Sequence, residues 1–300
     1  MVGADVPAAA ALLADRHAEH RAASPLLAPL DRSRAEGEVR ALLAADGAQG
    51  WVAEEQGELV GYLVADEHML SSFGPNAFVH AAGFAGRRLP ELYAEAARAW
   101  VQQGRRAHFV LCPAYQVEPW FHLGFGVQHV HAVMEPVVLP PDSRVRRAVR
   151  ADIPVLVRLD QVLDDTLRAS PVFSTLPHTT PQDALAEWEE GFEDDVVFVA
   201  ETSGEVLGSA IGLDLTGSRT NVGLMRPERA GFLGFAAVLE TARGLGLGRA
   251  LGNAVTSWAA EQGYPAVCAD WRSANLTAAR TWTSLGYQAT FLRLHRHLGG

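Results

Sequence analysis

The spacing of apolar and polar residues in the second half of the chain predicts alternating helices and strands. Apolar residues recur every three to four positions over 154–167, which indicates an amphipathic helix. Two apolar runs within 196–213 meet at a tight Gly turn, which is typical of a β-hairpin. A further apolar run over 231–239 predicts another strand.

The same alternation continues after a glycine-rich segment. A helix is predicted there by an apolar stripe at helical spacing, which consists of Leu251, Ala254, Val255, Trp258 and Ala259. Gly263 is expected to end this helix. A strand over 266–270, a short helix over 275–286 and a last strand over 289–298 follow. The elements together predict an α/β fold.

This outline occurs twice. ADVP (4–7), GELVG (57–61), WVQQG (100–104) and WFHLGF (120–125) return in the same order as ADIP (151–154), GEVLG (204–208), WAAEQG (258–263) and WTSLGY (282–287). The offset between the copies grows along the chain, which indicates a duplication whose second copy has longer loops. Two consecutive prolines within 135–144 break any regular element at the join. We therefore predict two domains, residues 1–138 and residues 142–300.

Composition narrows the functional classes. The chain has 300 residues, 48% of them apolar, and a net charge of −10, which disfavours nucleic acid as a partner. No apolar run approaches the ~20 residues of a membrane span, and no basic segment precedes the first apolar stretch, so neither a membrane partner nor a secretory signal is expected. Cys112 and Cys268 lie in apolar runs and resemble buried strand thiols of a reducing compartment, so the expected location is cytoplasmic. His17 and His20 share a helical face without a third ligand nearby, and no metal site is predicted.

The segment RGLGLGR, residues 243–249, predicts an anion site. Glycine-rich backbone before a helix N-terminus presents converging N–H groups, and the helix dipole favours negative charge. A dinucleotide fingerprint requires a third glycine where this chain has Arg249, and a nucleoside-triphosphate loop requires a lysine, of which the chain has none. The remaining pattern is Arg-x-x-Gly-x-Gly, with Arg243, Gly246 and Gly248.

This pattern, followed by ADWRSANLTAARTWTSLGY, resembles the GNAT superfamily of acyl-CoA-dependent N-acyltransferases over 144–297. The duplication resembles mycothiol synthase and other tandem GNAT proteins, in which one copy is catalytic. The resemblance implies two tandem GNAT-like domains, each with a mixed, mostly antiparallel sheet flanked by helices. The domain over 1–138 is expected to be degenerate and the domain over 142–300 catalytic.

The resemblance also implies a set of acetyl-CoA-binding residues. In the family the loop amides hold the CoA pyrophosphate, the preceding strand pairs with pantetheine, and an Asn after the next strand contacts the pantetheine arm. The residues so implied are Ala236, Ala237, Val238, Leu239, Arg243, Gly244, Leu245, Gly246, Leu247, Gly248, Arg249 and Asn275. Arg243 either assists at the phosphates or caps the strand end.

Three residues are implied in catalysis. The backbone N–H near Val238 would point at the thioester oxygen. Asp270 precedes WRSAN, where members that act on ribosomal-protein N-termini carry an acidic residue, so it is the expected general base; pairing with Arg272 is its alternative role. Where the family has a Tyr general acid further along the motif, this chain has Trp282, which cannot donate a proton to sulfur and is expected to form a wall.

The implied activity is transfer of an acetyl group from acetyl-CoA to a primary amine by direct attack on the thioester. The acceptor would be a small molecule or a peptide amine, and the loop 164–181 is where specificity would lie. The alternative is a protein that binds CoA without catalysis and has a sensor or structural role. The missing Tyr general acid supports this alternative. The sequence identifies neither the acceptor nor the oligomeric state.

Overall fold

The computed structural model describes residues 1–67, 73–218 and 220–299, and the chain divides into two compact units. The first unit contains 1–130, 222–226 and 289–300, and the second contains 131–221 and 227–288. Within the described part, no helix combines the length and apolar character needed to cross a membrane.

Helices and a small antiparallel sheet begin the first unit. α1 (Val6–Ala23) and α2 (Arg32–Leu43) precede β1 (Gln49–Glu55) and β2 (Glu58–Ala65), which form a hairpin. β3 (Asn76–Val79) and β4 (Phe84–Gly86) follow, and β4 pairs with the far edge of β2. The buried face of α1 includes Val6, Ala9 and Leu13 and contributes to the core of this unit.

The remaining elements of the first unit complete its second sheet. They are α3 (Leu89–Gln102), β5 (Ala107–Pro113), α4 (Glu118–His122) and β6 (Gly126–Met134), whose last residues belong to the second unit. β5 pairs in parallel with β3 and antiparallel with β12 (Gln288–His297), in a register from Phe291 opposite Pro113 to His297 opposite Ala107. Residues 289–300, which the sequence assigns to the domain 142–300, thus group with the first unit, because the ladder with β5 joins them to it.

The second unit has a similar order of elements, with a strand before its first helix and one strand between its hairpin and the helix that follows. It contains β7 (Val145–Arg147), α5 (Ile153–Arg168), α6 (Pro181–Gly191), β8 (Val196–Thr202), β9 (Glu205–Asp214), β10 (Gly231–Val238), α7 (Leu247–Glu261), β11 (Val267–Arg272) and α8 (Leu276–Leu285). The strand order is β11-β10-β9-β8-β7, in which the β10–β11 pair is parallel and the others antiparallel. The predicted α/β class, with mixed and mostly antiparallel sheets, is confirmed.

Helix α5 packs on the sheet of the second unit through its predicted apolar stripe. Leu159 is fully buried against Ala237 and Leu239 of the β10 region, and Leu156 joins a second cluster with Trp188 of α6. On α7, Leu251, Val255 and Ala259 are each fully buried, as the stripe predicts. These helices therefore place the end of β10 between α5 and the start of α7.

Candidate active site

The glycine loop of the second unit has left-handed backbone. Gly244 and Gly246 have φ angles of 86° and 76°, which residues with a Cβ rarely adopt. α7 begins immediately afterwards, and no side chain in the described part of the chain caps its N-terminus. Arg144 donates from Nη1 to the carbonyl of Leu245 at 2.9 Å. The first amides of α7, over 247–249, have no acceptor within the helix, and they are therefore available to an anion.

The strands β10 and β11 separate halfway along their length. Their pairing covers Gly231–Leu233 of β10 only, and the register of β10 against β9 shifts between Leu233 and Phe235. Beyond this bulge, and among the described residues, β10 is paired on the β9 side alone. The C-terminal half of β10, residues 235–238, is consequently a sheet edge within the second unit.

The register with β9 determines which groups of β10 face this edge. The amide of Leu239 donates to the Leu207 carbonyl at 2.8 Å, and in an antiparallel ladder alternate residues face the partner strand. Ala237 therefore directs its backbone groups to β9, whereas Ala236 and Val238 direct theirs to the separated edge. The Val238 N–H therefore faces the separated edge, and its contact with a thioester oxygen stays a prediction.

A cavity of about 380 Å³ lies at this edge and reaches the start of α7. Several of the residues that the sequence analysis predicts for acetyl-CoA binding or catalysis line this cavity: Ala236, Ala237, Val238, Arg243, Gly248, Asn275 and Trp282. The predicted residues that do not line it are Leu239 and Leu247, which are buried in the core, and Gly244, Leu245, Gly246 and Arg249, which belong to the loop and the first turn of α7. Any contribution of Leu239 and Leu247 to a ligand would therefore come from their backbone.

Three side chains of the cavity have defined partners. Arg243 pairs with Glu240, with Nη1 3.1 Å from Oε1, and its Nη2 lies 3.4 Å from the Thr166 hydroxyl. Asn275 caps α8, because its Oδ1 accepts from the Ala278 amide at 3.1 Å, which leaves its Nδ2 hydrogens as donors for a ligand. Trp282 is 7% exposed and packs so closely on α7 that a Cβ at Gly252 would lie 2.9 Å from its ring.

Asp270 is held beside the cavity's strands but is not among the residues that line the cavity. Its Oδ2 accepts from the Thr220 hydroxyl and, at 3.0 Å, from Nδ2 of Asn221, and it lies 4.0 Å from Nδ1 of His131. Burial lowers the pKa of Arg272, and the charge of Asp270 opposes this effect. The carboxylate thus lies in a polar network beyond the point where β10 and β11 separate.

Sequence reasoning missed a carboxyl group on α5. Asp160 lines a second cavity in this unit, and its Oδ2 accepts from Nε1 of Trp188 at 2.5 Å. Burial, together with the charges of Asp164 and Glu187, raises the pKa of Asp160 to about 6, and the hydrogen bond from Trp188 opposes this rise. The available signal was the i, i+4 spacing of Asp160 and Asp164, which puts two acidic residues on one face of a largely apolar helix.

Replacing Asp160 with Asn is expected to stabilise the protein at neutral pH. Because the folded state raises this pKa, the folded state holds the proton more tightly than the unfolded chain, and stability falls as the pH rises from about 4 to about 6. Above that range the free energy of unfolding is lower by about 1–2 kcal/mol, a figure that allows for solvent access to the carboxyl. Asp160→Asn should therefore raise Tm by about 2–6 °C near pH 7.5 and leave it nearly unchanged near pH 4.

Thermal melting of Asp160→Asn measures this effect. Glu190→Gln, at an exposed residue of α6, is the control. A lower Tm for Asp160→Asn at pH 7.5 would mean that the ionised carboxylate stabilises the fold.

The first unit lacks the glycines of this loop. The repeat aligns the start of α3 with the start of α7, and Arg88 occupies the position of Gly246 with the same left-handed backbone, φ 66°. Pro90, which has no N–H, then corresponds to Gly248. Arg16 aligns with Leu163 of the cavity wall, is 5% exposed and donates to the carbonyls of Ala81 and Phe84. In the first unit the guanidinium of Arg16 therefore occupies the position that the side chain of Leu163 occupies in the second unit.

Comparison with known proteins assigns residues 160–287 to a family. This segment matches the model of the acetyltransferase (GNAT) family, and it contains the separated strands, the glycine loop and Asn275. No curated protein matches the chain in a sequence comparison.

Three solved structures are similar to this chain, and the first of them supports the fold. A GCN5-related N-acetyltransferase from Sphaerobacter thermophilus has a TM-score of 0.58 and 16% identity, and the match covers 99% of this chain and 94% of that chain. A GNAT-family acetyltransferase from Colwellia psychrerythraea has a TM-score of 0.48 and 14% identity, covering 91% of each chain. A tandem GNAT protein from the clavulanic acid biosynthesis pathway has a TM-score of 0.42 and 15% identity, covering 91% of this chain and 90% of that chain.

The first of these likenesses covers nearly the whole chain, and the two units have a similar order of elements. The resemblance found in the sequence is thus confirmed: the chain has a fold of two GNAT-like units, and residues 160–287 match the model of the acetyltransferase (GNAT) family.

Proposed function

We propose that this protein is an acetyl-CoA-dependent N-acetyltransferase whose second unit binds acetyl-CoA and carries out the transfer. The observation that supports this most is a convergence of backbone donors on one cavity. Gly248, in the open first turn of α7, lies at one end, and the edge of β10 that faces away from β9 lies along its wall. The family match of residues 160–287 agrees with the proposal.

In this proposal the CoA diphosphate binds the amides of 247–249, where the helix dipole adds roughly half a positive charge. The pantetheine arm adds to the edge of β10 as an extra strand would, through the backbone groups of Ala236 and the carbonyl of Val238. Nδ2 of Asn275 offers a further donor to that arm. Gly244 and Gly246 keep side chains away from the diphosphate.

Acetyl-CoA supplies an acetyl thioester. The residues of the chain orient this thioester and deprotonate the acceptor amine. The Val238 N–H donates to the thioester carbonyl oxygen; removing one such donor typically costs ~10²–10³ in rate. Asp270, directly or through water, takes a proton from the acceptor amine, whose nitrogen forms the new bond to the carbonyl carbon. The carbon–sulfur bond breaks, and CoA leaves as a thiolate, whose reference pKa of ~8.5 allows departure without a Tyr general acid. Trp282 forms a wall.

We expect one CoA site per chain. The first unit places Arg88 and Pro90 where the second has Gly246 and Gly248, and the buried Arg16 takes the place of a cavity-lining leucine. Calorimetric titration with CoA should give a stoichiometry near one. Two equivalents per chain would mean that the first unit also binds CoA.

Acetyl-CoA turnover tests the proposal against a protein that binds CoA without catalysis. Thiol release is followed with a panel of polyamines, aminoglycosides and peptide N-termini as acceptors. Amine-dependent thiol release supports the transferase. CoA binding with no release above the hydrolytic background for any of these amines would favour the non-catalytic alternative.

A further inference from the structure

A second cavity, of about 330 Å³, lies between α5, α6 and the strands β9 and β10 of the second unit. Its apolar wall is formed by Leu163, Trp188, Ile211 and Phe235. Leu163 also lines the cavity proposed for acetyl-CoA, and Phe235 directly precedes Ala236 at the separated edge of β10. A molecule in this cavity would therefore border the cavity proposed for acetyl-CoA.

The polar lining of this second cavity is strongly negative. Its carboxyl groups are those of Asp160, Asp164, Glu187 and Asp195. In the part of the chain that the structure describes, no arginine forms an ion pair with any of them, and the basic group beside them is Nδ1 of His178, 3.8 Å from Asp164. The Trp188 indole and the Thr179 amide, 3.0 Å from Asp164, are neutral donors to these groups.

This arrangement costs free energy in the unliganded protein. Burial raises the pKa of Asp160 and of Asp195, and in each case a neighbouring acidic charge adds to the effect. Carboxylates that are partly desolvated and crowded together are stabilised by a cation from outside the chain. The lining is rich in acceptors and poor in donors, which matches a ligand that carries donors on an apolar frame.

We propose that this cavity is the acceptor subsite and binds an aliphatic amine with at least two amino groups, a linear polyamine. The inference rests on the acyl transfer proposed above. The amine that attacks the thioester must be neutral, so the attraction of these carboxylates must act on another amino group of the same molecule, which stays protonated. The apolar wall accommodates the methylene chain between the two nitrogens. Asp160 and Glu187 are specificity residues that hold the distal ammonium.

Binding of spermidine to the full-length protein, measured by calorimetry without acetyl-CoA, tests this. Spermidine should bind at least about tenfold more tightly than n-butylamine, which has one nitrogen and a four-carbon chain like the longer segment of spermidine. Asp160→Asn and Glu187→Gln should each lower the affinity for spermidine about 5- to 50-fold. Glu190→Gln, a loss of the same charge on the same helix as Glu187 but outside the cavity, should change the affinity less than twofold.

A parallel titration with CoA separates this proposal from the proposed function. The two cavity variants should bind CoA as the wild type does, because neither residue lines the first cavity. Equal affinity for spermidine and n-butylamine would overturn the acceptor proposal while leaving CoA binding intact. Equal losses in Glu187→Gln and Glu190→Gln would also overturn it, since they would reflect the overall negative charge of the surface.

Discussion

Replacing Gly248 with Pro is expected to lower the affinity for CoA by about 10- to 100-fold without unfolding the protein. The change removes one N–H from the proposed diphosphate site, and a hydrogen bond to a charged group is typically worth about 1.5–3 kcal/mol. Proline is compatible with the first turn of a helix. The first unit already has a Leu-Pro pair at the equivalent point, where Pro90 is in the first turn of α3. A Cβ at Gly248 would meet nothing closer than 3.9 Å.

The control for this change is Ser33→Pro, at the same helical position of α2, which begins at Arg32 in the first unit. It adds the same proline strain to a helix start that has no glycine loop. Both variants should keep their melting temperatures within a few degrees, and only Gly248→Pro should lose affinity in a calorimetric titration. Unchanged CoA affinity in a folded Gly248→Pro variant would contradict the diphosphate assignment.

Replacing Asp270 with Asn is expected to lower kcat/KM by about 10²- to 10⁴-fold near pH 7. An alkylammonium with a pKa near ~10 is almost wholly protonated at that pH, so the reaction depends on a base. Raising the pH to about 9 increases the neutral fraction of the amine roughly 100-fold, and part of the lost rate should return. The recovery with pH separates loss of a base from general damage to the site.

Trp282→Phe is the comparison for Asp270→Asn. It keeps an aromatic wall and should change kcat/KM by less than about fivefold, because Trp282 transfers no proton in this scheme. Melting curves of both variants check the network around Asp270, in which Thr220 and Asn221 donate to the carboxylate. If Trp282→Phe were the more damaging change, contacts at the wall would matter more than proton transfer. A loss in Asp270→Asn that stays constant from pH 7 to 9 would contradict its role as the base.

The sequence predicts the local features of this fold well. The glycine loop before a helix, the start of α7 and the apolar stripe of α5 follow from residue type and spacing over a few positions. The correspondence of Arg88 with Gly246 follows when the offset between WVQQG and WAAEQG is carried back to the start of that helix.

The features that the sequence does not predict depend on contacts between distant segments. The grouping of β12 with the first unit rests on a ladder to β5, which lies far earlier in the chain and pairs, for example, Cys112 with Leu292. The separation of β10 from β11 depends on a bulge that the apolar pattern does not reveal. The acidic cavity arises only when α5 and α6 bring Asp160 and Glu187 together, and each alone resembles a residue on a solvated helix face.

A crystal structure of the protein grown with CoA tests the central claim most directly. The account predicts one CoA per chain, with its diphosphate on the amides of 247–249 and its pantetheine arm hydrogen-bonded to the backbone of Ala236 and Val238. CoA bound in the first unit, or bound in the second unit away from α7 and the open edge of β10, would contradict it.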